Sequence, residues 1–219
     1  MCSKLLIATT LVAWSVPAGG LWADASVEGR VELPKPTMAR PLNQRYRTDV
    51  EVPEAPTDPP IAVVYLIGDF PVKNDSGAKS PAQMAQKNMM FEPELIPIQV
   101  GTAVDFPNLD ETYHNVFSYS KTKRFDLGRF RKNEKPASVV FDKPGVVTIH
   151  CEIHDRMRGT ILILETPYFQ KTDVAGRYRL DHLPAGRYTL KAWISDNDVR
   201  EHPIELKNGA TLHVDLPAR

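Results

Sequence analysis

From Met89 onward the chain is divided into short β-type runs at regular spacing, each ended by proline or glycine: 94–100, 103–106, 115–119, 138–141, 146–151 and 159–165. Runs of that length and composition predict an all-β chain built as a β-sandwich. The Asp142-Lys143-Pro144-Gly145 turn is read as a hairpin joining the strands on either side of it, which would fix the register of 146–151.

A second pattern fills 166–219. Gly176-x-Tyr178-x-Leu180, Leu183-Pro184-x-Gly186-x-Tyr188-x-Leu190, Ile204-x-Leu206 and Leu212-x-Val214-x-Leu216 alternate strictly and are separated by Gly or Pro-x-Gly turns. Before the first sandwich, Val27, Gly29, Val31 and Leu33 alternate as one strand. The run 61–67, bounded by Pro60 and Gly68, reads as a strand buried on both faces. Between them, prolines at 34, 36, 41, 53, 56, 59 and 60 argue an extended arm without a packed core. The polar segment 73–87 reads as a loop with at most one helical turn. Ile161-Leu162-Ile163-Leu164 is apolar on both faces, which predicts close packing between two β-units, since a strand with one wet face should alternate.

Chemistry concentrates in Cys151-Glu152-Ile153-His154-Asp155-Arg156-Met157, with a second imidazole upstream at His114. A thiolate, two imidazoles and a thioether form a copper-selective set, because sulfur ligands favour copper over harder cations. Strand alternation carries Cys151 inward with Val147 and Ile149 and turns His150 to the opposite face, away from the metal. His154 and Met157 follow the strand end, in a loop able to fold back over the same ion. A zinc site of His114, Cys151 and His154 is the alternative, but it would leave Met157 without a role.

Residues 1–25 have a lysine, an apolar run of about 12 residues and a small-residue Ala23-Asp24-Ala25 site, the pattern of a secretory signal peptide and too short to span a bilayer. Export to the periplasm, with no stable membrane insertion after signal removal, is the expectation. Cys151 is then the only mature cysteine, and metal ligation keeps an unpaired thiol from oxidising in that compartment. Lys plus Arg and Asp plus Glu balance at 27 each, so no basic excess argues for nucleic acid. Basic residues at 121–124 and 129–135 read as a solvated connection or as a surface that steers an acidic redox partner.

The order Phe91-Glu92-Pro93-Glu94, Val100-Gly101, Phe106-Pro107-Asn108, His114-Asn115-Val116-Phe117, Cys151-x-x-His154-x-x-Met157 resembles the cupredoxins of plastocyanin type, and the short ligand gap looks most like amicyanin. The resemblance spans 88–165. It implies a Greek-key sandwich holding one type 1 copper ion, with His114, Cys151 and His154 as trigonal ligands, Met157 as axial ligand and Asn115 tethering the ligand loops. Residues 166–219 resemble the carboxypeptidase regulatory-like (transthyretin-like) β-sandwich; the strands in 26–87 either belong to it, splitting it around the cupredoxin segment, or extend the cupredoxin, and the split is the preferred arrangement. The whole order is similar to that of bacterial exported plastocyanin-like proteins of the methylamine-utilisation group.

The resemblance implies a one-electron carrier that works with redox partner proteins. The same ligands would serve a module for copper delivery, storage or sensing. No His-x-His pair supplies the further copper centres of an oxidase, so no enzymatic role is expected. Asp155 and Arg156, where cupredoxins often carry proline or apolar residues, argue against docking through an apolar patch.

Overall fold

The computed structural model describes residues 24–35, 60–70, 81–134 and 138–218. Residues 1–23 of the expected signal peptide, most of the proline-rich arm and part of the 73–87 segment lie outside them, whereas Ala25, the last residue of that expected peptide, opens β1 and is fully buried. The described chain is all-β: β1 Ala25–Arg30, β2 Val63–Ile67, β3 Ala82–Gln83, β4 Ala85–Lys87, β5 Met90–Glu92, β6 Leu95–Gln99, β7 Thr102–Asp105, β8 His114–Tyr119, β9 Arg124–Phe130, β10 Ser138–Phe141, β11 Gly145–His150, β12 Arg158–Leu164, β13 Phe169–Lys171, β14 Arg177–Leu183, β15 Gly186–Ser195, β16 Asp198–Leu206 and β17 Thr211–His213. Among these residues no helix is long and apolar enough to cross a membrane.

One sandwich packs the five-stranded sheet β6-β12-β11-β8-β9 against the three-stranded sheet β10-β7-β3. Val116, Val147, Ile149, Ile161 and Ile163 from the first sheet meet Val104, Val139 and Phe141 from the second, each strand contributing alternate residues to the common core. A second sandwich pairs the sheets β14-β1-β17 and β13-β2-β15-β16. Its core holds Val27, Leu180 and Leu183 on one side and Val64, Leu66, Leu190 and Ile204 on the other. β1 lies antiparallel to β14 and parallel to β17, and β2 lies antiparallel to β15 and β13. Both sheets of this sandwich thus combine strands from the two ends of the chain.

Ile161-Leu162-Ile163-Leu164 is buried throughout. Ile161 and Ile163 enter the core of the first sandwich, whereas Leu162 and Leu164 join Val63 in a separate apolar cluster with Tyr65, Leu95, Val146, Phe169 and Trp193. That cluster joins the two sandwiches, and the Lys171 Nζ donates to Leu95 O at 3.4 Å across the same junction.

Three sequence expectations are corrected. Segment 82–87 is not a loop. Its short strands pair with β7 and β5, and Met84 is fully buried in the first core, so that sandwich begins before residue 88. The turn at 142–145 does not close a hairpin. β10 pairs with β7 in one sheet and β11 with β12 and β8 in the other, because Val139 and Phe141 reach the core from the side opposite Val147 and Ile149. The basic connection contains a strand, β9, whose Phe125, Leu127 and Phe130 pack on the core while Arg124, Asp126 and Arg129 face water.

Candidate metal centre

Three strands converge at one end of the first sandwich. β8 opens with His114, β11 delivers Cys151 just past its last residue, and the loop to β12 carries His154. One ligand atom from each of the three lies within 4.8 Å of the others. The His114 Nδ1 stands 3.1 Å from the His154 Nδ1, and the Cys151 Sγ lies 4.0 Å and 3.6 Å from those two nitrogens. Metal–nitrogen bonds of about 2.0 Å and metal–sulfur bonds of about 2.3 Å, the lengths typical of zinc, produce a triangle of this size. The donor set fits one metal ion, and a thiolate among imidazoles fits copper.

The triangle is dry on two sides and open on one. His114 is 0% and Cys151 4% exposed, while His154 is half-buried. Burial, and then the neighbouring His114, hold the His154 imidazole below its ordinary pKa, favouring the neutral form that a metal requires.

The loop after Cys151 is closed by its own backbone. The Cys151 N–H donates to Met157 O at 3.2 Å, and the Met157 N–H donates to His154 O at 2.9 Å. Met157 is 1% exposed and packs in the core that contains Cys151. Gly159 lets the return strand press close: a Cβ there would lie 3.1 Å from both the Ile149 Cγ1 and the Phe91 Cβ.

Asn115 ties the two ligand segments together. Its Oδ1 accepts from the Glu152 N–H at 2.9 Å and its Nδ2 donates to the Asp126 Oδ1 at 2.9 Å. His150 stands outside the group, half-buried on the opposite sheet face with its ring 5.7 Å from Phe117.

Sequence reasoning missed Asp110. Its Oδ2 lies 2.8 Å from the His114 Nε2, so the other ring nitrogen, Nδ1, is the one left facing Cys151 and His154. The same carboxylate accepts from the Asn88 N–H at 2.7 Å and the Met89 N–H at 2.9 Å. Those two residues, at φ 55° and 58°, form the turn between β4 and β5, the left-handed pair that a tight two-residue hairpin demands. Burial opposes ionisation of Asp110, but the donors from Met89, His114 and Asn88 outweigh it and lower the pKa. The loop beneath is pinned by Asn108, whose Nδ2 donates to Thr112 O and Phe130 O and whose Oδ1 accepts from the Asp110 N–H, each at 2.9 Å. The usable signal was an acidic residue four positions before His114, which alone does not distinguish a solvated loop carboxylate from a hydrogen-bonded one.

Met89, Leu109, Tyr113 and Ile153 are exposed on these same loops, so the open side of the site has apolar neighbours despite Asp155 and Arg156.

Residues 78–164 match the copper-binding proteins of the plastocyanin/azurin family. The match starts ahead of residue 88, as does the first sandwich, in which Met84 and Gln86 are buried. Among solved structures, a reduced amicyanin mutant shares 20% identity over 46% of this chain and 98% of its own, with a TM-score of 0.37. A purple cupredoxin from Nitrosopumilus maritimus shares 23% over 38% of this chain and 99% of its own, at 0.34. A copper-containing nitrite reductase from Thermus scotoductus shares 25% over 44% of this chain and 26% of its own, at 0.38. No curated protein matches the sequence.

Proposed function

We propose that the chain is an exported one-electron carrier whose centre is a single type 1 copper that His114, Cys151, His154 and Met157 would hold. The buried His–Cys–His triangle carries this reading, because its ligands are already positioned around one point and need little rearrangement. Copper, when bound, supplies the one-electron couple. His114 and Cys151 keep water from the thiolate side, Asp110 and Asn115 hold the ligands in place, and the half-buried His154 offers an edge to an oxidant or reductant. Periplasmic location, a protein redox partner at that edge and the absence of an enzymatic role belong to the same reading. In it, the second sandwich is a carboxypeptidase regulatory-like unit.

Copper(II) added to the purified mature protein should give an intense thiolate-to-copper band at about 600 nm that disappears in Cys151→Ser. Reversible voltammetry of the same sample separates a carrier from a storage or delivery protein. A colourless wild-type protein, or a band that survives in Cys151→Ser, would overturn the proposal.

A further inference from the structure

The parallel pairing of β3 with β7, Ala82 to Val104 and Gln83 to Asp105, does not stop where β7 ends. The Met84 N–H donates to Asp105 O at 3.0 Å, the Gln86 N–H to Pro107 O at 2.8 Å, and the Leu109 N–H to Gln86 O at 2.8 Å. Two residues further on, the Asn88 and Met89 N–H groups hold the Asp110 carboxylate, which in turn holds the His114 Nε2. One strap, 82–89, thus runs from the sheet β10-β7-β3 to a candidate metal ligand.

Gln86 stands at its midpoint and is 0% exposed. Its side-chain Nε2 donates to Phe106 O at 3.1 Å. Pro107 has no N–H to offer, and the carbonyls on both sides of it accept from Gln86, one from the side chain and one from the backbone. The amide orientation is fixed by Phe106 O, and it leaves the Gln86 Oε1 buried without a hydrogen-bond partner among the described residues. An apolar side chain of similar size would fill this place without stranding an acceptor, so packing alone does not account for glutamine here. What the amide adds is the donor that holds the 106–109 backbone where Leu109 pairs and Asp110 meets His114.

We infer that Gln86 is a positioning residue for the metal centre: through the 106–109 backbone and Asp110 it sets the placement and tautomer of His114. The inference rests on the reading of His114 as a metal ligand, but its first test needs no metal.

Nitrogen-edited NMR of the copper-free protein should show His114 protonated at Nε2, and in Gln86→Met that tautomer should lose population. Val139→Ala, which thins the core from the opposite sheet, should leave it unchanged. Copper affinity should fall about tenfold in Gln86→Met, but by less than about twofold when the same substitution is made in Asp110→Asn, because the effect passes through that carboxylate. An unaltered His114 tautomer, the same change in Val139→Ala, or an equal loss of affinity in both backgrounds would overturn the inference. If Gln86→Met does not fold, hydrogen exchange of wild type decides. Coupling is reciprocal, so Cu(I) should slow exchange at the Gln86 and Leu109 amides more than at those pairing β10 with β7, and equal slowing overturns the inference. If wild type binds no copper while the His114 tautomer still responds to Gln86→Met, the carrier reading fails and the positioning role stands.

Discussion

The carboxylate of Asp110 holds the Nε2 of the buried His114 at 2.8 Å and, through Asn88 and Met89, fastens that imidazole to the β4–β5 turn. One side chain therefore sets the tautomer of a ligand and links it to the hairpin beside it. Asp110→Asn should weaken copper binding by about tenfold, as removal of an outer hydrogen-bond partner typically does, and raise the reduction potential by deleting a negative charge near Cu(II). Chelator competition and voltammetry measure both, and Asp110→Glu should recover part of each.

Asn115→Ala removes the acceptor of the Glu152 N–H and the donor to Asp126. A loss of about 0.5–1.5 kcal/mol per hydrogen bond is expected, because the partners left behind, Glu152 and Asp126, are exposed residues. Urea denaturation of copper-free protein reports it, and the blue band of the loaded variant should broaden as the ligand loop loosens.

The pH response of copper-free protein follows from His154, whose pKa is lowered by burial and then by His114. As pH falls through the ordinary histidine range, the unfolded chain takes up a proton that the folded chain refuses. Folded stability therefore declines across the interval between the unfolded value and the lower folded one, and the decline is complete below the latter. An NMR titration should place His154 below free histidine. A value at or above it would contradict this environment.

Leu162 is 4% exposed in the cluster between the sandwiches. Leu162→Ala should cost about 2–5 kcal/mol. Because the loss falls at the junction, thermal unfolding should lose cooperativity and separate into two transitions. A single transition at lower temperature would mean that the two sandwiches fold as one unit regardless of this contact.

At Gly29 a Cβ would lie 1.8 Å from the backbone oxygen of Val214. Gly29→Ala should force β1 away from the chain following β17 and destabilise the second sandwich by at least about 1–3 kcal/mol. The visible spectrum of the copper-loaded protein, which depends on the other sandwich, should stay unchanged.

The His114–Cys151–His154 cluster was legible because such residues are sparse and chemically specific, with two of the three in one short segment, and because alternation alone separates Cys151 from His150. The apolar run 161–164 was legible for a similar reason, since no single core explains two buried faces. What escaped depends on partners distant in sequence. The 142–145 turn has hairpin composition, but which sheet receives β10 is decided by its pairing with β7. Strand β9 alternates as Arg-Phe-Asp-Leu, but it is embedded in a run dense in charge, which is also the composition of a solvated connection. Asp110 lacked any local mark of its three donors, two of which come from a turn more than twenty residues upstream.

The described residues hold one free cysteine, and it belongs to the metal site. Among the described residues no disulfide closes a loop. The sandwich built from both chain ends supplies the closure instead: β2 before the cupredoxin unit and β13 after it lie paired in one sheet. The segment between them, which holds the His114–Cys151–His154 cluster, is thereby a loop with both ends clamped. Clamping limits the conformations open to its unfolded form, the entropic effect otherwise obtained from a cross-link, without exposing any sulfur to oxidation.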